Sequence, residues 1–191
     1  MITRPIEPQT PLQKPEQISI ETTRLSLTPL QPSDTDGLMA VFADKNSARM
    51  THAIPHPLSR EGAEKLLADM CAAKLTHWAI RSDEALIGIV SLTKSACGAP
   101  TGIHTFGPNL SVFVAPSHQG NGYALEAIDG LLRWVKKRKV YKVIHAAHFA
   151  DNDASGRLLI NADFLYTGRK TMETSLARDG EHLALHMIRI L

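Results

Sequence analysis

One segment of the sequence, residues 112–127, constrains the fold more than any other. It runs from an apolar strand, Val112 to Val114, through a proline and a turn that contains Gly120 and Gly122, into an amphipathic helix. The first N–H groups of a helix lack intrahelical partners, and the helix dipole makes that end positive. A glycine turn at such an end binds phosphate without a lysine. The segment therefore predicts a site for a cofactor that carries a pyrophosphate.

Composition narrows the class of protein. The chain has 191 residues, 43% apolar and 21% charged, which is typical of one soluble domain. A net charge of +2 is too small to favour nucleic acid as the main partner. No apolar run is long enough to span a membrane, and no signal-peptide pattern opens the chain, so we expect a cytoplasmic protein. Cys71 and Cys97 lack metal or redox spacing and are expected to be reduced thiols.

The apolar pattern divides the chain into an arm, residues 1–20, and one domain, residues 21–191. The arm carries four prolines and few apolar side chains, which predicts an extended or disordered segment. Helices are predicted after the caps Ser33 and Ser59, from Ala124, and over 154–162, with a glycine- and proline-rich loop over 96–108. Strands are predicted over 24–28, 77–81, 86–93, 109–114, 142–147, 164–171 and 183–190. This order describes a mixed sheet with helices on both faces rather than a regular βαβ series.

Three motifs carry a resemblance to a known family. Residues 21–30, Glu-Thr-Thr-Arg-Leu-Ser-Leu-Thr-Pro-Leu, form the first; Gln119 to Ala124 fit the pattern Gln/Arg-x-x-Gly-x-Gly/Ala; and Asn152-x-x-Ser155 precedes Phe164. Together they resemble the GNAT-type N-acetyltransferases over residues 21 to 191. Within that superfamily they resemble the Rim-type ribosomal-protein-alanine N-acetyltransferase branch. The spacing among the motifs makes the match specific, since a glycine motif alone is weak.

The resemblance implies a fold, a cosubstrate and site residues. The implied fold is of the mixed α+β class, with a mostly antiparallel twisted sheet that is splayed at the cofactor strand. Acetyl-CoA is the implied cosubstrate, with no metal. Ser155 is the implied catalytic residue, able to protonate the departing thiolate. The implied cofactor-binding residues are Val112, Val114, Gln119, Gly120, Asn121, Gly122, Tyr123, Ala124 and Asn152.

Structural alternatives stand beside several of these roles. The glycine turn could be a simple connection between strand and helix, and Gln119 could orient the turn instead of contacting phosphate. Asn152 could serve only as a helix cap, a position that asparagine favours. The family usually has glycine where this chain has Asp163. We therefore expect Asn161 to make the turn that ends this helix.

The reaction implied by the resemblance is direct attack of a primary amine on a thioester. A protein N-terminal α-amine, including that of a ribosomal protein, is the expected acceptor. Its pKa is about 8, against about 10.4 for lysine, so a weak base or a water relay suffices. His52, His56 and His77 are the candidate bases. The alternatives are a small-amine acceptor (polyamine, amino sugar or amino acid) and a non-catalytic acyl-CoA-binding module. No membrane or nucleic-acid partner is expected, and a homodimer is left open.

Overall fold

A computed structural model describes residues 19–72, 76–94, 107–139 and 141–191. Residues 1–18 of the predicted arm and most of the predicted loop over 96–108 lie outside the described residues. Among the described residues, no helix is both long and apolar enough to cross a membrane.

The described residues form eight strands and five α-helices. The strands are β1 (Ile20–Glu21), β2 (Ser26–Pro29), β3 (Thr76–Ser82), β4 (Ala85–Lys94), β5 (Pro108–Val114), β6 (Val143–Phe149), β7 (Leu165–Ser175) and β8 (Arg178–Ile190). The helices are α1 (Thr35–Val41), α2 (Lys45–Ala48), α3 (Arg60–Ala72), α4 (Tyr123–Arg138) and α5 (Asp153–Asn161). The strands make one sheet in the order β1-β2-β3-β4-β5-β6-β8-β7, antiparallel except between β5 and β6. The predicted mixed fold is confirmed.

The hydrophobic core lies on both faces of this sheet. Side chains alternate between faces along a strand, so Trp78 of β3 packs toward α4 while its neighbour Ala79 packs toward α1 and α3. Ile128 and Leu131 of α4 are fully buried on the first face, and Phe42 is buried on the second. Burial of each large apolar side chain contributes about 1.5–3 kcal/mol. The helices therefore cover both faces because each carries an apolar stripe.

The sheet is splayed between β5 and β6, as predicted. Strand β5 pairs with β4 along its whole length, from Lys94↔Pro108 to Gly88↔Val114. It pairs with β6 only at Asn109↔His145. Beyond that pair the two strands separate, so the second half of β5 presents its other edge to a cleft.

Two local predictions were wrong. Ser33 does not cap α1, because it lies inside a 3-10 turn, Pro32–Asp34, that precedes the helix. Proline suits the first position of a helical turn, and Pro32 therefore starts the 3-10 turn one residue before Ser33. Asp34 is the N-cap residue of α1 by position, and its side chain bonds no N–H of that helix: its carboxylate accepts the Gln31 N–H at 2.8 Å and pairs with Arg81 at 2.8 Å.

The second correction concerns the end of α5. Asn161 is the last residue of the helix, and Asp163 itself adopts the left-handed conformation with φ +57°. The N–H of Phe164 donates to Leu159 O at 2.9 Å and that of Asp163 to Ile160 O at 3.0 Å, which is a Schellman motif. Aspartate is among the few residues with a side chain that tolerate this conformation. Asp163 therefore replaces glycine at the position where glycine is usual.

Candidate active site

A cleft of about 940 Å³ opens where β5 and β6 separate. Nine of the ten predicted site residues line it: Val112, Val114, Gln119, Gly120, Gly122, Tyr123, Ala124, Asn152 and Ser155. A second cavity of about 130 Å³ adjoins it, because both are lined by Met50, Val112, Phe113, Asn152, Ser155 and Leu158. Asn121, the tenth residue, does not line the cleft, since its side-chain amide donates to His118 O and Gln119 O at 3.1 and 3.2 Å.

The backbone of β5 faces the cleft at alternate residues. The N–H of Ala115 donates to Ile87 O of β4 at 2.8 Å. Backbone polar groups alternate in direction along a strand, so those of Val112 and Val114 point to the open side, away from β4. The side chain of Gln119 donates to Val114 O at 2.9 Å. Gln119 therefore ties the turn to the end of β5, which is the orienting role left open by the sequence.

The turn itself depends on left-handed backbone at both glycines. Gly120 has φ +79° and Gly122, the N-cap of α4, has φ +78°. Residues with side chains rarely adopt this region. A Cβ built on Gly120 would meet no protein atom within 4 Å. The conformation of the turn, rather than crowding within the protein, therefore requires glycine there.

The start of α5 brings Asn152 and Ser155 to the boundary between the two cavities. The side-chain oxygen of Asn152 accepts the N–H of Ser155 at 3.1 Å and so caps the helix. The capping role of Asn152 that the sequence left open is therefore present, and it places both residues on the cleft wall. Asp153 and Ala154 of the first turn of α5 also line the cleft, so the positive end of the helix dipole lies beside it.

One of the three candidate histidines lies at the site. His52 lines the small cavity, and its Nδ1 donates to Thr174 O at 3.0 Å. His56 and His77 line neither cavity. Burial lowers the pKa of His77 to about 4, and its Nδ1 lies 2.7 Å from Ser91 Oγ. The structure therefore separates His56 and His77 from the cleft.

Sequence reasoning missed His148 and Tyr166. His148 is buried and lines the small cavity; its Nδ1 donates to Phe149 O at 2.8 Å, so its Nε2 accepts the Tyr166 hydroxyl at 2.9 Å. A Cβ on Gly156 would lie 3.1 Å from Tyr166 Oη and 3.2 Å from His148 Cε1. A glycine inside a helical pattern usually has a packing reason, and this one was the available signal.

Sequence reasoning also missed an ion-pair group of Arg49, Asp151 and Arg178, of which Asp151 lines the cleft. Asp151 accepts hydrogen bonds at 2.8 Å from both Arg49 and Arg178. Burial alone would raise the pKa of Asp151, but the hydrogen bond and charge of Arg178 and the hydrogen bond of Arg49 lower it below its ordinary value. The guanidinium of Arg178 also stands 4.1 Å above the ring of Phe149, which lines the small cavity. This ion-pair group therefore holds α2 and β8 together beside the cleft.

In the part of the chain that the structure describes, no group of three or more histidine, cysteine, aspartate or glutamate side chains could hold a metal ion.

Solved structures of acetyltransferases have a similar fold, and three of them illustrate the likeness. An acetyltransferase of the GNAT family from Bacillus anthracis has a TM-score of 0.75 at 15% identity and covers 91% of this chain and 98% of its own. RimL, a ribosomal L7/L12 alpha-N-protein acetyltransferase in complex with coenzyme A, has a TM-score of 0.76 at 17% identity, with coverage of 91% and 98%. The microcin C7 self-immunity acetyltransferase MccE, in complex with acetyl-CoA and AMP, has a TM-score of 0.73 at 12% identity, with coverage of 88% and 93%.

The family is established by sequence. No protein with a curated description matches the chain significantly. Residues 24–165 match the family described as the acetyltransferase (GNAT) domain, and this range includes β2 to α5, the glycine turn and Ser155. The chain therefore belongs to the GNAT family of acetyltransferases, and acetyl-CoA is its acetyl donor.

Proposed function

We propose that this protein acetylates the N-terminal α-amine of a protein, and that it acts in the cytoplasm. The observation that carries the proposal is the lining of the small cavity beside Ser155. Among the described residues this lining includes His52 and His148 but no aspartate or glutamate. Carboxylates favour the binding of a polyamine or a lysine side chain, and in the described structure they line the adjoining cleft (Asp44, Asp151 and Asp153) rather than this cavity.

The cost of removing a proton from the amine points the same way. At pH 7, an α-amine with a pKa of about 8 loses its proton at a cost of about 1.4 kcal/mol, whereas a lysine with a pKa of about 10.4 requires about 4.6 kcal/mol. A histidine suffices for the first and is a poor base for the second. The similarity in fold to RimL, whose description names an alpha-N-protein acetyltransferase, also supports this acceptor.

The cleft suits coenzyme A in size and in the groups that it presents. Its volume of about 940 Å³ is that of a site for a large cofactor. The backbone of Gly120, Gly122 and Ala124 would hold the pyrophosphate, with Tyr123 at the start of the helix beside them. The backbone groups of Val112 and Val114 on the open edge would hold the pantetheine arm. Asn152, which lines the cleft, would contribute its side-chain amide.

Two side chains would handle protons. When bound, acetyl-CoA supplies an activated acetyl group as a thioester. The hydroxyl of Ser155, on the boundary of the two cavities, would hold the proton for the leaving sulfur. His52 would accept the proton of the amine: because its Nδ1–H donates to Thr174, the neutral ring carries its lone pair on Nε2.

A panel of acceptors tests the proposal. The enzyme and acetyl-CoA are incubated with a lysine-free peptide bearing a free N-terminus, a peptide with a blocked N-terminus and one lysine, or spermidine, and products are read by mass spectrometry. We expect acetyl transfer to the free α-amine and little to the other two. Transfer only to spermidine or lysine would contradict the proposed acceptor. Binding of acetyl-CoA with no transfer to any amine would favour a non-catalytic module.

A further inference from the structure

The turn between β1 and β2 contacts the glycine turn, although the two are far apart in sequence. The guanidinium of Arg24 donates from Nη1 to Asn121 O at 3.1 Å and stands 4.7 Å above the ring of Tyr123. Its Nη2 lies 3.5 Å from where a Cβ on Gly122 would be. Arg24 therefore covers the outer side of the segment whose inner side lines the cleft.

Glu126 fixes the guanidinium in place. One of its carboxylate oxygens accepts the Thr22 hydroxyl and the backbone N–H of Arg24, both at 2.7 Å, and the other accepts Arg24 Nε at 2.7 Å. The Glu126 side chain is only 14% exposed. Charge-assisted bonds with this geometry are about twice as strong as neutral ones. Arg24 is therefore anchored at one edge while its other edge reaches the turn.

The bond to Asn121 determines the direction of a peptide unit. In a trans peptide the C=O of one residue and the N–H of the next point in opposite directions. Because Arg24 holds the Asn121 carbonyl on the outer side, the Gly122 N–H of the same unit points toward the other side, where Gly122 lines the cleft. The φ of +78° at Gly122 is the backbone conformation that accompanies this arrangement.

We propose that Arg24, anchored by Glu126, is a positioning residue for the pyrophosphate of coenzyme A. Arg24 acts by holding the glycine turn with the Gly122 N–H directed at the phosphates. This inference rests on the proposed phosphate-binding role of that turn. The competing role, a bare positive charge that attracts phosphate, fits poorly with a carboxylate bonded directly to the guanidinium.

Substitution of Glu126 distinguishes the two roles of Arg24, because they predict opposite changes in the affinity for coenzyme A. If Arg24 acted as a bare charge, Glu126→Gln would remove a neighbouring negative charge and strengthen coenzyme A binding. If Arg24 positions the turn, the same change releases the guanidinium and weakens binding. Arg24→Lys separates them again, because a single ammonium keeps the charge but cannot hold Glu126 and Asn121 together.

Isothermal titration calorimetry measures the Kd for coenzyme A in each variant. The kcat at saturating acetyl-CoA and the Tm of the free protein are further readouts. We expect Kd to rise about tenfold in Arg24→Ala, nearly as much in Arg24→Lys, and severalfold in Glu126→Gln. The control Arg60→Ala, which removes an exposed arginine paired with Asp36 on α1, should leave Kd unchanged. We also expect kcat to stay within about twofold in these variants, since the turn does not line the small cavity proposed for the acceptor.

Any of three results for coenzyme A binding would overturn the inference: tighter binding in Glu126→Gln, full rescue by Arg24→Lys, or a Kd in Arg24→Ala within twofold of the wild type. A lower Tm in Arg24→Ala together with a fall in kcat as large as the rise in Kd would also overturn it, because this result would indicate a structural role only. Failure of the wild-type protein to bind coenzyme A would instead refute the proposed function itself, so the two failures are distinguishable.

Discussion

Ser155 lies between the two cavities, with its backbone N–H fixed by the Asn152 cap. Ser155→Ala removes the hydroxyl and keeps the helix, because the cap uses only the backbone of residue 155. We expect kcat to fall about 10²-fold, the lower end of effects for acid–base groups, while Kd for coenzyme A stays within about twofold. Steady-state kinetics and calorimetry measure the two quantities. Ser117→Ala, an exposed serine, is the control, and an unchanged kcat in Ser155→Ala would remove the hydroxyl from the mechanism.

We predict that His77, which is partly buried and lines neither cavity, affects stability rather than catalysis. Burial lowers its pKa to about 4, whereas the unfolded chain has a value of 6.5. Between these values the unfolded state binds the proton that the folded state refuses, so the free energy of unfolding falls as pH drops, by up to about 1.4 kcal/mol per pH unit. Urea unfolding at pH 7 and pH 5 should show this slope in the wild type and less of it in His77→Gln. An equal slope in both proteins would show that His77 titrates normally.

At the scale of elements, motifs that act locally could be read from the sequence. The glycine turn and the Asn152 cap use residues close together in the chain, so their spacing predicts their geometry. The pairing of His148 with Tyr166 could not be predicted, because it depends on β8 lying between β6 and β7. The contact of Arg24 with Glu126 crosses 102 positions in sequence and depends on how the turn between β1 and β2 packs against α4. Asp163 was misjudged because aspartate is a less usual left-handed residue than glycine.

Asn152 caps α5 and is also proposed to contact coenzyme A, and substitution can separate these two roles. Asn152→Asp keeps a side-chain oxygen for the Ser155 N–H and introduces a negative charge near a helix N-terminus, which is favourable. The stability should therefore be retained. Asn152→Ala loses the cap and should lower the free energy of unfolding by about 1 kcal/mol. If the side-chain amide also contacts coenzyme A, both variants should bind it more weakly. Unfolding and calorimetry on the pair test this, and normal affinity in Asn152→Asp would leave Asn152 as a cap only.

At the scale of the whole molecule, the order of elements predicted the fold because strand and helix periodicities are strong in this chain. The splay of the sheet was expected only from the family resemblance, and in the structure it is visible as the single pair Asn109↔His145 between β5 and β6. Helix α2 was not predicted, since four residues carry no periodicity. Residues on and just after α2, such as Ser47 and Met50, line the cleft, so this part of the site depended on tertiary structure.

Calorimetric titration of coenzyme A into the wild type and Gly122→Glu tests the central claim, that the glycine turn beside the splayed strand holds the acetyl donor. The account predicts binding by the wild type and at least about 10²-fold weaker binding by Gly122→Glu, which strains the left-handed backbone and adds a negative charge at the phosphate site. Gly180→Glu is the matched control, because Gly180 has φ +75° in β8 and does not line the cleft. Equal affinities for Gly122→Glu and the wild type, or an equal loss in Gly180→Glu, would contradict it.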